Sequence, residues 1–271
     1  MGDRTPVLHE VAGGIAEVTL NRPEKMNALT PEMICRLADA WDAVQADPLV
    51  RVAILTSEGD RAFSAGADLG RLTTLLTRSR EPEDAWDERL RAEPKLLNRA
   101  MLRGTDLTTP VIAAARGAVV GGGMEMLLAC DLRVVAAESV FGLTEVRRGL
   151  IPAAGGVARV SRQVSAAHAA EILLIGDKVD AATAYRMGLV NRVVPADQVL
   201  KTARELAAAM AGNGPLAMRA AKEGMVRSSG ASLSEAFGIE DELIKTVLRS
   251  KDAREGSRAF MEKRRPKFTG T

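Results

Sequence analysis

Five residues, Gly121-Gly122-Gly123-Met124-Glu125, constrain this chain more than any other stretch. They stand where the apolar strand Val111 to Ala115 and, past Arg116, the run Gly117 to Val120 give way to Met126-Leu127-Leu128, so a buried strand is expected to turn there into a buried helix. The three glycines remove every Cβ at that turn. Backbone N–H groups at a helix start lack intrahelical partners, and without side chains a ligand can approach them closely. Glu125 is the only ionisable side chain between Arg116 and Asp131 apart from the Cys130 thiol. A lone carboxylate in such a run loses hydration, which raises its pKa and makes it a candidate for proton transfer. Taken alone, the stretch has two readings. One is a set of donors for a developing oxyanion with an acid/base one helical turn away. The other is tight packing, with a Glu that complements the helix dipole.

With 271 residues, 46% hydrophobic and 27% charged, the chain can bury a sizeable core, as one large domain or a core with an appendage. A net charge of +2 makes no strong electrostatic case for nucleic acid or a membrane surface. The two cysteines, Cys35 and Cys130, match no metal spacing and no disulfide framework, as in a reducing compartment. The first ten residues hold no apolar signal region, and no apolar stretch is long enough to span a bilayer. A soluble cytoplasmic protein is therefore expected. Only two histidines are present, His9 in an N-terminal strand and His168 in an Ala-rich helix, and both read as structural. No Cys/His or Ser/His/Asp nucleophilic set is visible.

Taken in order, Val7–Val11 and Ile15–Leu20 read as a hairpin turning at Gly13-Gly14. Thr30-Pro31 starts a helix, with Thr as N-cap and Pro at the first helical position; Ile34, Leu37, Trp41 and Val44 give it one apolar face, and Asp47-Pro48 ends it. Residues 50–56 form a nearly continuous apolar strand of the kind a covered parallel sheet requires. Ala62-Phe63-Ser64-Ala65-Gly66-Ala67-Asp68-Leu69 follows as a second loop of small residues at a strand's carboxyl end, where open α/β sheets bind ligands. Ser64 has no base nearby in sequence. Residues 71–103 are rich in charge and read as helical pieces with a mobile loop between them. Val140 to Glu145 places a second carboxylate in an apolar stretch; beside Arg147 and Arg148 its commoner fate is a surface ion pair. Gly149 to Gly156 reads as a turn before a helix. Helices then dominate: 166–175, 180–187, 196–211, 215–226 and 233–249, with a last short strand at 189–194 and a basic stretch at 258–267.

As a set these stretches resemble the crotonase (enoyl-CoA hydratase/isomerase) superfamily. Val18 to Leu29 is similar to its N-terminal signature, Phe63 to Leu69 to its first oxyanion loop, and Gly117 to Glu125 with Asp131 to its second. Phe141 to Glu145 with Gly149 to Pro152 is similar to its third signature, and Glu255 to Arg264 to its C-terminal end. The match covers nearly the whole chain in order. It implies an α/β fold: a crotonase-like spiral of repeated ββα units over residues 1–195, then a C-terminal α-helical trimerisation region over 196–271. It also implies a homotrimer or a dimer of trimers, an acyl-CoA thioester substrate, and no metal or cofactor beyond the coenzyme A that is part of the substrate.

By position, the resemblance makes the backbone N–H groups of Ala67 and Gly122 the pair that holds the thioester oxygen, and Glu125 and Glu145 the two catalytic carboxylates. Ala65, Ala67, Asp68, Leu69 and Gly122 lie where the family grips substrate and CoA; Lys25, and more loosely Arg22 and Lys263, are candidates for its phosphates. The implied reaction is hydration of a trans-2-enoyl thioester, with Glu125 mainly activating water and Glu145 exchanging the α-proton. A double-bond isomerase of the same scaffold can manage with one carboxylate. A non-catalytic acyl-CoA binder has no use for two secluded acids, and RNA or membrane association has only the basic tail behind it. Thr144 stands where many hydratases have Pro, and residues 71–103 are longer than in short-chain hydratases, at a region that borders the acyl pocket in the family.

Overall fold

In the computed structural model, residues 5–104 and 107–271 are described. Among the described residues, ten strands form two sheets. The larger has the order β1 (Val7–Ala12), β2 (Ile15–Leu20), β3 (Val52–Ser57), β5 (Val111–Ala115), β7 (Leu132–Ala136), β10 (Arg192–Val194). The smaller has the order β4 (Ala62–Ser64), β6 (Ala118–Val120), β8 (Val140–Gly142), β9 (Val179–Asp180). Among these strands β1–β2 and β8–β9 pair antiparallel, and the other strand pairs are parallel. The sequence places one strand in the large sheet and the next in the small sheet, three times over: β3/β4, β5/β6 and β7/β8. Each pair leads into helical chain, which is the repeated ββα unit the resemblance implies.

Local chemistry accounts for the elements. The β1–β2 hairpin turns on Gly13 and Gly14, both at positive φ, as a two-residue hairpin loop requires. The Thr30 hydroxyl accepts from the Met33 N–H and Pro31 opens α1 (Pro31–Ala46), as expected. Along β3, β5 and β7, alternate residues enter two cores. Ala53, Leu55, Ala113 and Val135 face the main core, while Val52, Ile54, Ile112, Ala114 and Val134 face a second cluster completed by Val199, Ala203 and Ala207. Those last three belong to α9 (Val199–Ala211), which covers the sheet's outer face. Both faces of the parallel strands are thus dry, and that explains their unbroken apolar runs.

Between the sheets' strands lie α2 (Thr74–Leu76), entered through a wide helical turn at Leu69–Thr73, then α3 (Ala85–Ala92), α4 (Leu96–Ala100) and α5 (Gly122–Ala129). Next come α6 (Gly156–Gln163), α7 (Ala166–Ala170), continued by a wide turn to Ile175, and α8 (Ala181–Arg186). After α9 follow α10 (Pro215–Ser228), α11 (Leu233–Arg249) and α12 (Lys251–Met261). The last of these corrects the reading of a plain basic tail: Ser250 caps it through the Ala253 N–H, and the final residues fold back onto it, with Thr269 and Gly270 N–H donating to Asp252. The chain from Arg71 to Arg103, expected as helical pieces with a mobile loop between them, holds helices at Thr74–Leu76, Ala85–Ala92 and Leu96–Ala100, and ion pairs join Arg71, Arg80, Glu83, Asp84 and Asp87. Among the described residues no strand follows β10, and no helix is long and apolar enough to cross a membrane.

Candidate active site

Three parallel strands of the small sheet, β4, β6 and β8, end side by side, and the chain leaving each carboxyl end supplies one wall of a single cavity. From β4 come Ala65, Gly66, Ala67 and Leu69; from β6, Gly121, Gly122 and Glu125; from β8, Thr144, Glu145 and Arg148. The cavity measures about 330 Å³ and is otherwise lined by apolar side chains that include Leu29, Leu72, Leu76, Leu97 and Met101.

The first loop is held from behind by the Asn21–Leu29 segment. Leu29 N–H donates to Gly66 O, Asp68 N–H to Leu29 O, and Ala65 N–H to Met26 O. Fully buried Asn27 donates to Glu58 O and Ala62 O and accepts from Arg22 N–H. The Ser64 hydroxyl donates to Asn27 O and accepts from Gly66 N–H, so it is a structural tie and no nucleophile. Gly66 has φ +86°, and a Cβ there would stand 2.9 Å from Val120 O and 3.1 Å from Gly122 N. The two loops therefore touch through bare backbone, and glycine is required. A Cβ on Gly122 would lie 3.8 Å from the Ala67 nitrogen. Among the described residues neither the Ala67 nor the Gly122 N–H donates a hydrogen bond within the chain. Two amides expected on one oxygen thus stand as neighbours at the cavity wall, one of them at the start of α5 where the helix dipole adds to its pull.

Glu125 is only 4% exposed. Its Oε1 accepts from Ala154 N–H at 2.7 Å and Gly156 N–H at 2.8 Å. Burial pushes its pKa up, opposed by these two N–H groups and by the nearby Arg159 and Arg103 cations. Glu145 opens a short 3₁₀ turn at Glu145–Arg148 and is half-buried. Burial raises its pKa to about 7, its own backbone N–H opposes the shift, the Glu125 charge adds to it, and the Arg148 cation opposes it. One of its oxygens, Oε2, is buried without a hydrogen-bond partner. The surface ion pair that sequence favours for such a Glu does not form: Arg147 pairs with Asp177, and Arg148 reaches the Thr144 carbonyl and hydroxyl.

Other sequence-derived residues stand apart from the cavity. The Asp68 carboxylate turns away from it to Arg22 at 2.8 Å and to the N–H groups of Gly70 and Arg71. Arg22 is held by Asp68 and Ala28 O. Lys25 and Lys263 are exposed. Sequence reasoning placed Gly149 to Pro152 in the third signature but missed the loop that grips Glu125, leaving 153–156 as part of a turn before a helix. The signal was available: Ala153-Ala154-Gly155-Gly156 is a second run of small residues at a helix start, with the same exposed N–H groups as the triglycine. Arg159, which donates to carbonyls of Met101, Leu102, Glu125 and Ala154 and so ties three elements around that carboxylate, was also missed.

Two unpartnered amides facing a cavity that also holds two desolvated carboxyls suit an acyl group whose carbonyl oxygen gains charge while a proton moves nearby. The Enoyl-CoA hydratase/isomerase family model matches residues 10–271, and the chain belongs to that family. An enoyl-CoA hydratase of Mycobacterium tuberculosis is 39% identical, the match spanning 96% of this chain and 95% of the relative. An (E)-benzylidenesuccinyl-CoA hydratase of Thauera aromatica is 36% identical over 98% of this chain and 99% of the relative. The crystal structure of an enoyl-CoA hydratase from Bacillus anthracis superposes with a TM-score of 0.88 at 34% identity, covering 98% of this chain and 100% of that one.

Proposed function

We propose that this chain is an enoyl-CoA hydratase, a hydro-lyase that adds water across the 2,3 double bond of trans-2-enoyl-CoA thioesters. The observation that carries this reading is the convergence of Glu125 and Glu145 on one cavity with the free amides of Ala67 and Gly122. As water adds at the β-carbon, negative charge grows on the thioester oxygen. Donors fixed in place stabilise that charge more than the ground-state carbonyl, and one such donor is typically worth about 2.7–4 kcal/mol. Glu125, locked by two N–H groups through one oxygen, holds and deprotonates the water. Glu145, whose pKa lies near neutrality, delivers the proton to the α-carbon. Ala65 and Leu69 line the cavity beside the thioester position, and exposed Lys25 and Lys263 meet the CoA phosphates.

The same reading makes 196–271 the region through which copies associate as a trimer or paired trimers. Met225, Val226, Leu233, Phe237, Leu248, Phe260 and Met261 are large apolar side chains left exposed on its helices. Light scattering after size-exclusion chromatography reads the mass directly, and a monomer at micromolar concentration rejects this part. The enzymatic part is tested by incubating the protein with 2-enoyl and 3-enoyl thioesters from crotonyl to aromatic chains and following the conjugated thioester absorbance. Loss of that absorbance with 2-enoyl substrates is expected. Its appearance from 3-enoyl substrates, without hydration, makes the protein an isomerase instead.

A further inference from the structure

The wall of the cavity formed by Leu69, Leu72, Thr73, Leu76 and Thr77 is a wide helical turn followed by three α-helical residues. A helical piece this short does not hold itself on propensity. Its outer side is fastened by one buried fork. Arg80 Nη1 and Nη2 bind Asp87 Oδ2 and Oδ1 at 2.5 and 2.9 Å, and the Asp87 side chain is completely buried. The other face of the same guanidinium donates to the Arg71 carbonyl at 2.8 Å through Nη2, and to the Thr74 hydroxyl at 3.2 Å through Nε. Both acceptors belong to the wall. The Glu83 N–H donates to Asp87 at 3.0 Å, and Arg71 binds Glu83 and Asp84. Asp87 sits on α3, which is itself moored to α1 by Arg89–Asp39 and by Arg36 stacked 4.9 Å over the Trp86 ring. The chain of contact therefore runs from the fixed helix α1 through α3, Asp87 and Arg80 to the turn whose inner face meets the acyl group.

We infer that Arg80 and Asp87 are positioning residues that hold this wall in place, and that the pair determines how long or bulky an acyl chain the cavity takes. Neither is among the residues that line the cavity, so they act through Leu69, Leu72 and Leu76. Only a planar, two-pronged cation bridges a carboxylate and two wall oxygens at once, which makes Arg80 irreplaceable by a point charge. With the fork removed the turn relaxes outward and long chains gain room, while short chains lose a surface to press against.

The inference rests on the proposed reading for its acyl-CoA ligand, and on hydration itself only for the rate assay. Asp87→Asn, Arg80→Lys and the double variant Arg80→Leu/Asp87→Leu are compared with wild type on crotonyl-CoA and hexadecenoyl-CoA. The double variant removes both charges together, so no buried charge is left without its partner. The kcat/KM ratio of long to short substrate should rise about tenfold, the size of discrimination a hydrophobic pocket draws from a methylene or so of fit. The change should fall on KM more than on kcat, with Arg80→Lys moving in the same direction by less. A role confined to stability would lower the unfolding temperature and leave the ratio where it was. An unchanged ratio in any variant that unfolds cooperatively overturns the inference. Calorimetric binding of butyryl-CoA against palmitoyl-CoA reads the long-to-short preference as a ratio of dissociation constants, which should shift in the same direction, so it decides the matter even if the wild-type protein fails to hydrate either substrate.

Discussion

Replacing Glu125 by Gln separates the chemistry of this carboxyl from its place in the fold. In the wild-type protein Oε1 accepts from Ala154 N–H at 2.7 Å and Gly156 N–H at 2.8 Å. A Gln amide can set its carbonyl oxygen on both donors, so Glu125→Gln keeps the 153–156 loop satisfied. Glu125→Ala strands two buried N–H groups at about 1–3 kcal/mol each, against a total stability of roughly 5–15 kcal/mol for a domain. Burial raises the pKa of Glu125 above its unfolded value, so the folded protein binds that proton more tightly than the unfolded chain does. A group shifted this way contributes most at low pH, and its contribution falls as pH rises past the unfolded value through the folded one. Gln carries no such penalty, so the stability of Glu125→Gln relative to wild type should improve with rising pH. Loss of proton transfer should cost about 10²–10⁴ in kcat, or roughly 3–5 kcal/mol of transition-state stabilisation. Crotonyl-CoA hydration followed by thioester absorbance, with thermal unfolding of the same preparations across a pH series, measures both. A Gln variant within tenfold of wild-type kcat refutes the catalytic assignment. A Gln variant as unstable as the Ala variant refutes the two-donor account of how the carboxyl is held.

If Glu145 delivers the α-proton, the hydration rate should decline as pH rises through about 7. Arg148→Met removes a cation that favours the ionised form, so the declining limb should move to higher pH; a limb that stays put or moves down argues against Glu145 as its source. Gly123→Ala should lower the unfolding temperature, because its Cβ would meet Ser64 O at 2.6 Å and Ser64 Cβ at 2.7 Å, an overpacking worth roughly 1–3 kcal/mol. Asp131→Ala should cost about 1–3 kcal/mol in urea unfolding, since its Oδ2 accepts from Val111 N–H at 2.7 Å and pairs with Lys222 at 2.9 Å, tying α10 to the large sheet.

The large sheet was legible in the sequence because five of its six strands, all but β10, are long enough to show a pattern. Val52–Ser57 and Val111–Ala115 are continuous apolar runs, and the hairpin and α1 carry their own turn and cap residues. The small sheet was not. Its strands have two or three residues each, too few for any period, and their pairings join segments that are distant in sequence. Yet this is the sheet whose strand ends carry the site. The triglycine pointed to it because a run without Cβ atoms is informative whatever its length. The same holds for Gly66, whose bare backbone is required by contact with a loop more than fifty residues further on. The helix α12 escaped notice because few apolar residues mark it, and what secures it is the chain end returning to Asp252.

The resemblance implies different roles for the two carboxyls, but the residues themselves do not supply the physical basis of that difference, since both stand in apolar stretches. The fold makes them unlike. Glu125 faces a loop that spends two backbone donors on one of its oxygens, and those donors favour the charged form against the cost of burial. Glu145 is less deeply buried, but one of its oxygens has no partner and the neighbouring Glu125 charge presses against its ionisation. Two like groups beside one cavity are thereby given different hydrogen-bonding surroundings. On the proposed reaction this asymmetry distributes the work: the anchored carboxylate can take a proton from water while the other still holds one to give. The chain that anchors Glu125 arrives 29 and 31 residues after it, so the division of labour is a product of tertiary structure, and substitutions in the 153–156 loop should disturb it without touching either acid.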